Sequence, residues 1–182
     1  YPMQVSFVAA IDRNRLMGSE AGHLPWRLPR DIAHFRAVTA GQWLLLGRRT
    51  YEEMDGWFTD QTPLVLSRDP DYRPQRPSHR VFAGVNAALD FARASGADEV
   101  VAVGGARIFS AALEAATRLI LTRIEAVYEV ADGVYFPDFE KSGEWRLVHA
   151  EHWPSDSKNP VAMRLEYYER RQGIPPPGRP VP

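Results

Sequence analysis

The chain has 182 residues, a formal net charge of −1, 45% apolar residues and no cysteine. This length suits one domain with a proper core, and so small a charge gives no electrostatic case for nucleic acid or an anionic membrane surface. Without cysteine, disulfides, thiolate metal sites and a cysteine nucleophile fall away together; no apolar run approaches a membrane span and no signal-peptide pattern opens the chain, so a cytoplasmic protein is expected.

Tyr1-Pro2, ahead of Met3, is set aside from the fold. Gln4 to Ile11 (QVSFVAAI) is an apolar run without helical period and reads as a buried central strand. Asp12 to Trp26, punctuated by Gly18 and Gly22, reads as a loop long enough to act as a lid. A short helix follows, with Leu28, Ile32, Phe35 and Val38 forming one apolar face. At about 100° per residue, Asp31 projects inside that face, between Phe35 and Val38. An acid there is costly unless a polar group meets it. It also lies in the first turn, after Pro29, where an acid suits the helix dipole. The preceding Leu24-Pro25-Trp26 sets a rigid aromatic beside the acid.

Gln42 to Leu46 reads as a second buried strand, ending at Gly47. In Gly47-Arg48-Arg49-Thr50, with Glu53 three residues after Thr50, the Thr-x-x-Glu pattern of a capping box predicts a short helix through Met54. A glycine turn feeding a helix between two arginines suits an anion; it also suits a capped helix with solvated arginines. A third strand, Pro63 to Ser67, ends in Ser67-Arg68, and the Pro-rich Asp69 to Arg80 is a surface loop. Arg80 to Ala83 is a short strand and Asn86 to Ser95 an amphipathic helix stopped by Gly96. Glu99 to Val103 is a strand that runs into Gly104-Gly105-Ala106-Arg107 and a helix to Ala115. Paired glycines there permit close approach of a ligand to backbone, or simply tight packing; the pattern is not GxGxxG. Arg118 to Tyr128 is a strand holding Thr122, and Ala131-Asp132-Gly133 is a turn. Trp145 to Trp153 and Val161 to Arg170 are two further strands, and His149 and His152 read as surface residues. These elements predict a single-domain α/β fold, with a mostly parallel central sheet, antiparallel C-terminal strands and flanking helices, over residues 3–171. The Pro-, Gly- and Arg-rich 172–182 is expected to be a disordered tail.

Pro25-Trp26, then Leu28-Pro29-Arg30-Asp31 with Phe35 one turn on, resembles dihydrofolate reductase, and the resemblance runs from Gln4 to Arg171. It implies the dihydrofolate reductase-like fold and NADPH-dependent reduction of 7,8-dihydrofolate to tetrahydrofolate. Asp31 would hold the 2-amino group and N3 of the pterin and promote protonation at N5 through water. Trp26 would stand beside it, and Thr122 would bond both the acid and the pterin edge. Val8, Ile32, Phe35, Met54 and Val103 would wall the ring and benzoyl group. Ala10 and Met17 would meet the nicotinamide through backbone groups. Gly47, Arg48, Arg49, Thr50, Ser67 and Arg68 would take the phosphates of NADPH, with Arg48 and Arg68 near the 2′-phosphate. Gly104, Gly105, Ala106 and Arg107 would cover the pyrophosphate, and Ile108 and Phe109 would complete the cofactor side. No metal is implied, and a monomer with a small-molecule partner is expected.

Three positions depart from the family pattern. Phe109 stands where a Tyr is frequent, Ala106 replaces a third glycine, and Gln61 stands where an Arg usually grips the α-carboxylate of the folate glutamate. Arg36, one helical residue after Phe35, is the nearest cation expected to partly replace it. The departures leave open a reductase of a glutamate-free dihydropterin, such as dihydromethanopterin or a free pterin. A riboflavin-pathway relative and a non-catalytic nucleotide-binding module fit less well, because Trp26, Asp31 and Thr122 stand together.

Overall fold

A computed structural model describes residues 2–171; the expectation of a disordered tail at 172–182 lies outside the described residues. The strands are β1 (Gln4–Ile11), β2 (Leu16–Ser19), β3 (Trp43–Gly47), β4 (Thr62–Leu66), β5 (Arg80–Phe82), β6 (Glu99–Gly104), β7 (Arg118–Ile124), β8 (Gly133–Tyr135), β9 (Trp145–Trp153) and β10 (Met163–Arg170). The α-helices are α1 (Pro29–Thr39), α2 (Arg48–Glu53), α3 (Val85–Ala94) and α4 (Ala106–Ala112). Eight strands form one sheet in the order β5-β4-β3-β6-β1-β7-β10-β9. From β5 to β7 the pairings are parallel, and β10 and β9 close the sheet antiparallel.

The run of β1 reads as two-faced because it is buried on both sides. Val5, Phe7 and Ile11 join Leu45, Ala102, Leu119 and Leu121 in the core under α3 and α4. Val8 joins Leu44, Leu46, Val101 and Ile120 in the core under α1 and α2. Alternation along each strand therefore divides the apolar residues between two layers, as the pleat requires.

Several boundaries differ from the sequence expectation. Residues 12–26 are not all loop: β2 pairs with β8, Leu16 opposite Tyr135 and Ser19 opposite Gly133. Helix α2 starts at Arg48 from an extended Gly47, and no side chain caps it; Thr50 sits inside the first turn instead of heading it. Strand β7 ends at Ile124 because, once Glu125 N–H has bonded the Ala162 carbonyl, the following amides turn away from the sheet. Ala126 N–H bonds the Ile124 carbonyl, and Tyr128 N–H bonds Asp12. Strand β10 starts at Met163, two residues later than expected.

Asp12 is fully buried and fastens the end of β1 to what surrounds it. Its Oδ1 accepts the N–H groups of Asn14 (2.8 Å) and Leu16 (2.9 Å), and its Oδ2 accepts that of Tyr128 (3.0 Å). Asp12→Ala strands three backbone donors. It is expected to lower the unfolding free energy by about 2–4 kcal/mol, as urea denaturation would show; an unchanged midpoint and slope would refute the assignment.

Candidate active site

Parallel pairing brings the C-terminal ends of β1, β3, β4 and β6 to one edge of the sheet. There Leu46 lies opposite Gly104, Gly47 opposite Leu66, and Ala10 opposite Thr122. Helix α1 crosses the same face, and its apolar side is not packed away as the periodicity suggested. Leu28 is buried, but Phe35 and Val38 are half-buried and Ile32 is 40% exposed. The exposed flank borders a cleft of about 180 Å³ lined by Leu24, Trp26, Arg27, Leu28, Asp31 and Ile32. Leu24, quoted in the motif but given no role, is 58% exposed at its rim. Two apolar side chains left open make a hollow in which Asp31 is the one acid, with Arg27 also on the lining.

The anchor is Asp31. Burial pushes its carboxyl above the ordinary carboxylate range, and the Thr122 side chain and then His34 draw it part of the way back. Thr122 is buried on β7. The Trp26 ring lies 5.4 Å from that of Tyr128, tilted by 49°. The Asp12 bond to Tyr128 N–H thus also braces the residue behind Trp26. Val8 and Ala10 lie on this face of β1, with Met54 and Val103 packed beside the same core. Met17, on β2, packs toward the opposite core layer.

A second cradle adjoins the first. The Gly104–Gly105 peptide is cis and Gly104 has φ of +127°, a conformation that favours glycine. A Cβ on Gly105 would stand 3.7 Å from Thr50 Oγ1, and one on Gly47 would stand 3.3 Å from Ile108. Bare backbone at the end of β6 therefore faces the Thr50 hydroxyl, with Gly47 of β3 against Ile108, a shape that suits a phosphate-bearing group. Around it, Arg48 bonds Glu52 (3.0 Å), approaches Asp69 (3.5 Å) and covers the Tyr72 ring at 4.0 Å. Arg49 pairs with Glu53 at 3.5 Å. Arg68 and Arg107 are exposed, and among the described residues neither has an acidic partner. Half-buried Ser67 accepts the Asp69 N–H through its hydroxyl, and half-buried Ala106 opens α4. A dinucleotide carrying phosphates fits this set of groups.

The Phe109 ring is fully buried between Phe7 (5.0 Å) and Phe136 (5.1 Å), directly behind Gly104 of the double-glycine turn. Gln61 is half-buried, and its Oε1 accepts the Thr59 N–H at 2.8 Å. The Arg36 guanidinium lies 4.2 Å above the Trp57 ring, which also meets Phe35 at 5.1 Å. Sequence reasoning missed His34, one turn past Asp31, whose ring packs edge-on against Trp153 at 5.5 Å. The i, i+3 spacing from Asp31 is the signal that could have found it.

Burial of Asp31 has a consequence for stability. The unfolded chain titrates this carboxyl near 3.8, and the folded chain titrates it higher. Between those values the native state holds the extra proton, so stability falls as pH rises through the interval and stays lowered above it. Asp31→Asn never ionises. It is expected to raise Tm at neutral pH, with the gain vanishing below the ordinary carboxyl range; melts at both pH values check this.

Comparison with known proteins agrees with this geometry. The family model for dihydrofolate reductase matches residues 4–170. The dihydrofolate reductase of Bacillus subtilis (strain 168) is 33% identical over 167 residues, covering 92% of this chain and 95% of the relative. Dihydrofolate reductase type 3 of Salmonella typhimurium is 34% identical over 170 residues, covering 93% and 100%. A solved dihydrofolate reductase from Enterococcus faecalis, complexed with NADP(H) and RAB-propyl, superposes with a TM-score of 0.80 at 30% identity, over 93% of this chain and 97% of that one. With an acid-anchored cleft beside a double-glycine cradle, and a family match that runs nearly end to end, this chain belongs to the dihydrofolate reductase family.

Proposed function

We propose that the chain reduces 7,8-dihydrofolate to 5,6,7,8-tetrahydrofolate with NADPH, and that Asp31 is the group on which the reaction turns. The carrying observation is a carboxyl held in an apolar cleft, with its titration raised by burial. As carboxylate, Asp31 pairs with the amidine-like edge of a pterin through two charge-assisted hydrogen bonds. Thr122 steadies the acid from β7 and offers its hydroxyl to the same edge. Trp26 and Leu28 exclude water from one side of the ring, while Ile32 and Phe35 pass the substrate outward along α1. Bound NADPH supplies the hydride, delivered from nicotinamide C4 to pterin C6. Thr50 and the backbone of Gly47, Gly104 and Gly105 would hold its phosphates, with Arg68 and Arg107 free to meet them and Arg48 and Arg49 to be drawn from their carboxylate partners.

Reduction also needs a proton at N5. A carboxyl whose titration is raised keeps its proton further into the neutral range than an exposed one, and so sustains that supply. The direct test is NADPH oxidation with dihydrofolate, comparing wild type with Asp31→Asn. A positioned acid is worth roughly 10²–10⁴-fold, so the variant should lose about that much rate at neutral pH and less in acid. Wild-type rate in the variant would end this reading.

Gln61 favours a second reading, in which the pterin carries no glutamate. A neutral amide, its oxygen already engaged by Thr59, cannot grip a carboxylate as a guanidinium does. Hydrogen bonds to charged groups contribute about 1.5–3 kcal/mol, or roughly ten- to a hundredfold in affinity. Gln61→Arg is therefore expected to tighten glutamate-bearing antifolates by that factor and to leave small diaminopyrimidines unaffected. Titration of both ligand types checks it. No gain in the variant, or loss of glutamate recognition in Arg36→Ala alone, would instead make Arg36 the carboxylate partner.

A further inference from the structure

Among the described residues one buried side-chain nitrogen or oxygen lacks a hydrogen-bond partner: His34 Nε2. Natural interiors leave few polar atoms unpaired, and each such atom asks for a reason. His34 stands three residues after Asp31, on the same side of α1. Its ring meets Trp153 at 78° between planes. Trp153 is itself fixed, donating Nε1–H to Glu151 at 3.1 Å and lying beneath the Arg30 guanidinium at 4.5 Å. A phenyl ring would fill the same edge-on slot without an orphaned atom. What the imidazole adds is the ability to take a proton one turn from the acid.

The charged groups around it are few. Asp31 and Arg30 belong to α1, and Glu151 reaches from β9; both carboxylates favour a protonated ring, against the burial that disfavours it. The influence is mutual, since a charge on His34 favours ionised Asp31. Burial holds one of these neighbours up and the other down, and the charge on each favours the charged form of the other. We propose that His34 is a positioning residue for the reductase, the electrostatic partner that sets the pH at which Asp31 gives up its proton in the cleft. This rests on the reading of Asp31 as the substrate-gripping acid.

The sign follows from the pairing. Without the imidazole, Asp31 loses a group that favours its charged form, so it keeps its proton to higher pH. The test is the pH profile of hydride transfer from NADPH to dihydrofolate in wild type, His34→Phe, His34→Gln and Asp31→Asn. Phe keeps the edge-on contact with Trp153, and Gln keeps a polar group; neither titrates. Both His34 variants should move the alkaline fall in rate upward by about half a pH unit or more. An unmoved midpoint in both, or a loss equal at every pH, overturns the inference while Asp31→Asn still lacks activity. Full rate in Asp31→Asn overturns the underlying reading instead. Should the His34 variants fail to fold, the His34 imidazole can be titrated by NMR in wild type and in Asp31→Asn. Its midpoint should fall when the Asp31 charge is removed, and an identical midpoint overturns the proposal.

Discussion

Parallel strands share a direction, and that constraint organises the molecule. Because β1, β3, β4 and β6 all run the same way, each delivers its last residue to one edge of the sheet. Residues from Ala10, Gly47, Ser67 and Gly104 are distant in sequence, yet they are neighbours for this reason alone. The antiparallel pair β10 and β9 then extends the sheet beneath α1 and supplies Trp153 to its underside. A fold with the same helices on an antiparallel sheet would scatter the same groups between two edges.

Helix α1 is built at odds with its own stability. Only Thr39 among its residues is buried, its apolar flank is left open, and its acid is half-buried where the charged form is disfavoured. Such concessions are characteristic of binding surfaces, where a hollow must exist before the ligand fills it. The rest of the molecule offsets them with two full core layers and with tethers such as Arg170. That residue donates to the carbonyls of Ala116 (3.0 Å) and Leu113 (2.7 Å), and its guanidinium covers Trp145 at 4.4 Å.

Much of this was legible in the sequence. The bounds of β1 and β9 coincide with the reading because each is a continuous extended run bordered by turn or polar residues. Asp31 stands out in the sequence because helical geometry puts it on the apolar side and Leu24-Pro25-Trp26 sets an aromatic beside it, while its role comes from the family resemblance. Strand β2 was not, since Leu16–Ser19 offers only two apolar residues and a glycine, and its partner lies near Gly133. The start of α2 was misread because a Thr-x-x-Glu pattern looks alike whether Thr heads the helix or sits within its first turn; the extended Gly47 decides the matter. Phe109 is placed at the cofactor side by the family resemblance and by no local pattern; its ring fills the space between Phe7 and Phe136 behind Gly104. His34 offered only its i, i+3 spacing from Asp31, because what isolates its Nε2 is packing around α1 and Trp153 that no local pattern encodes.

The position of β1 in the sheet has a bearing on how the chain is made. It precedes every other described strand in the chain, yet its partners are β6, from Glu99, and β7, from Arg118. As the ribosome feeds out the chain, this two-faced apolar run has no native neighbour in the sheet until β6 has emerged and none on its other side until β7 follows. Its pairings span roughly a hundred residues of loop, the kind of long-range closure that slows folding and leaves sticky surface exposed meanwhile. Within the eight-stranded sheet the central strand is thus the one that waits longest for company, and a nascent chain stalled before Arg118 would hold it only half-paired.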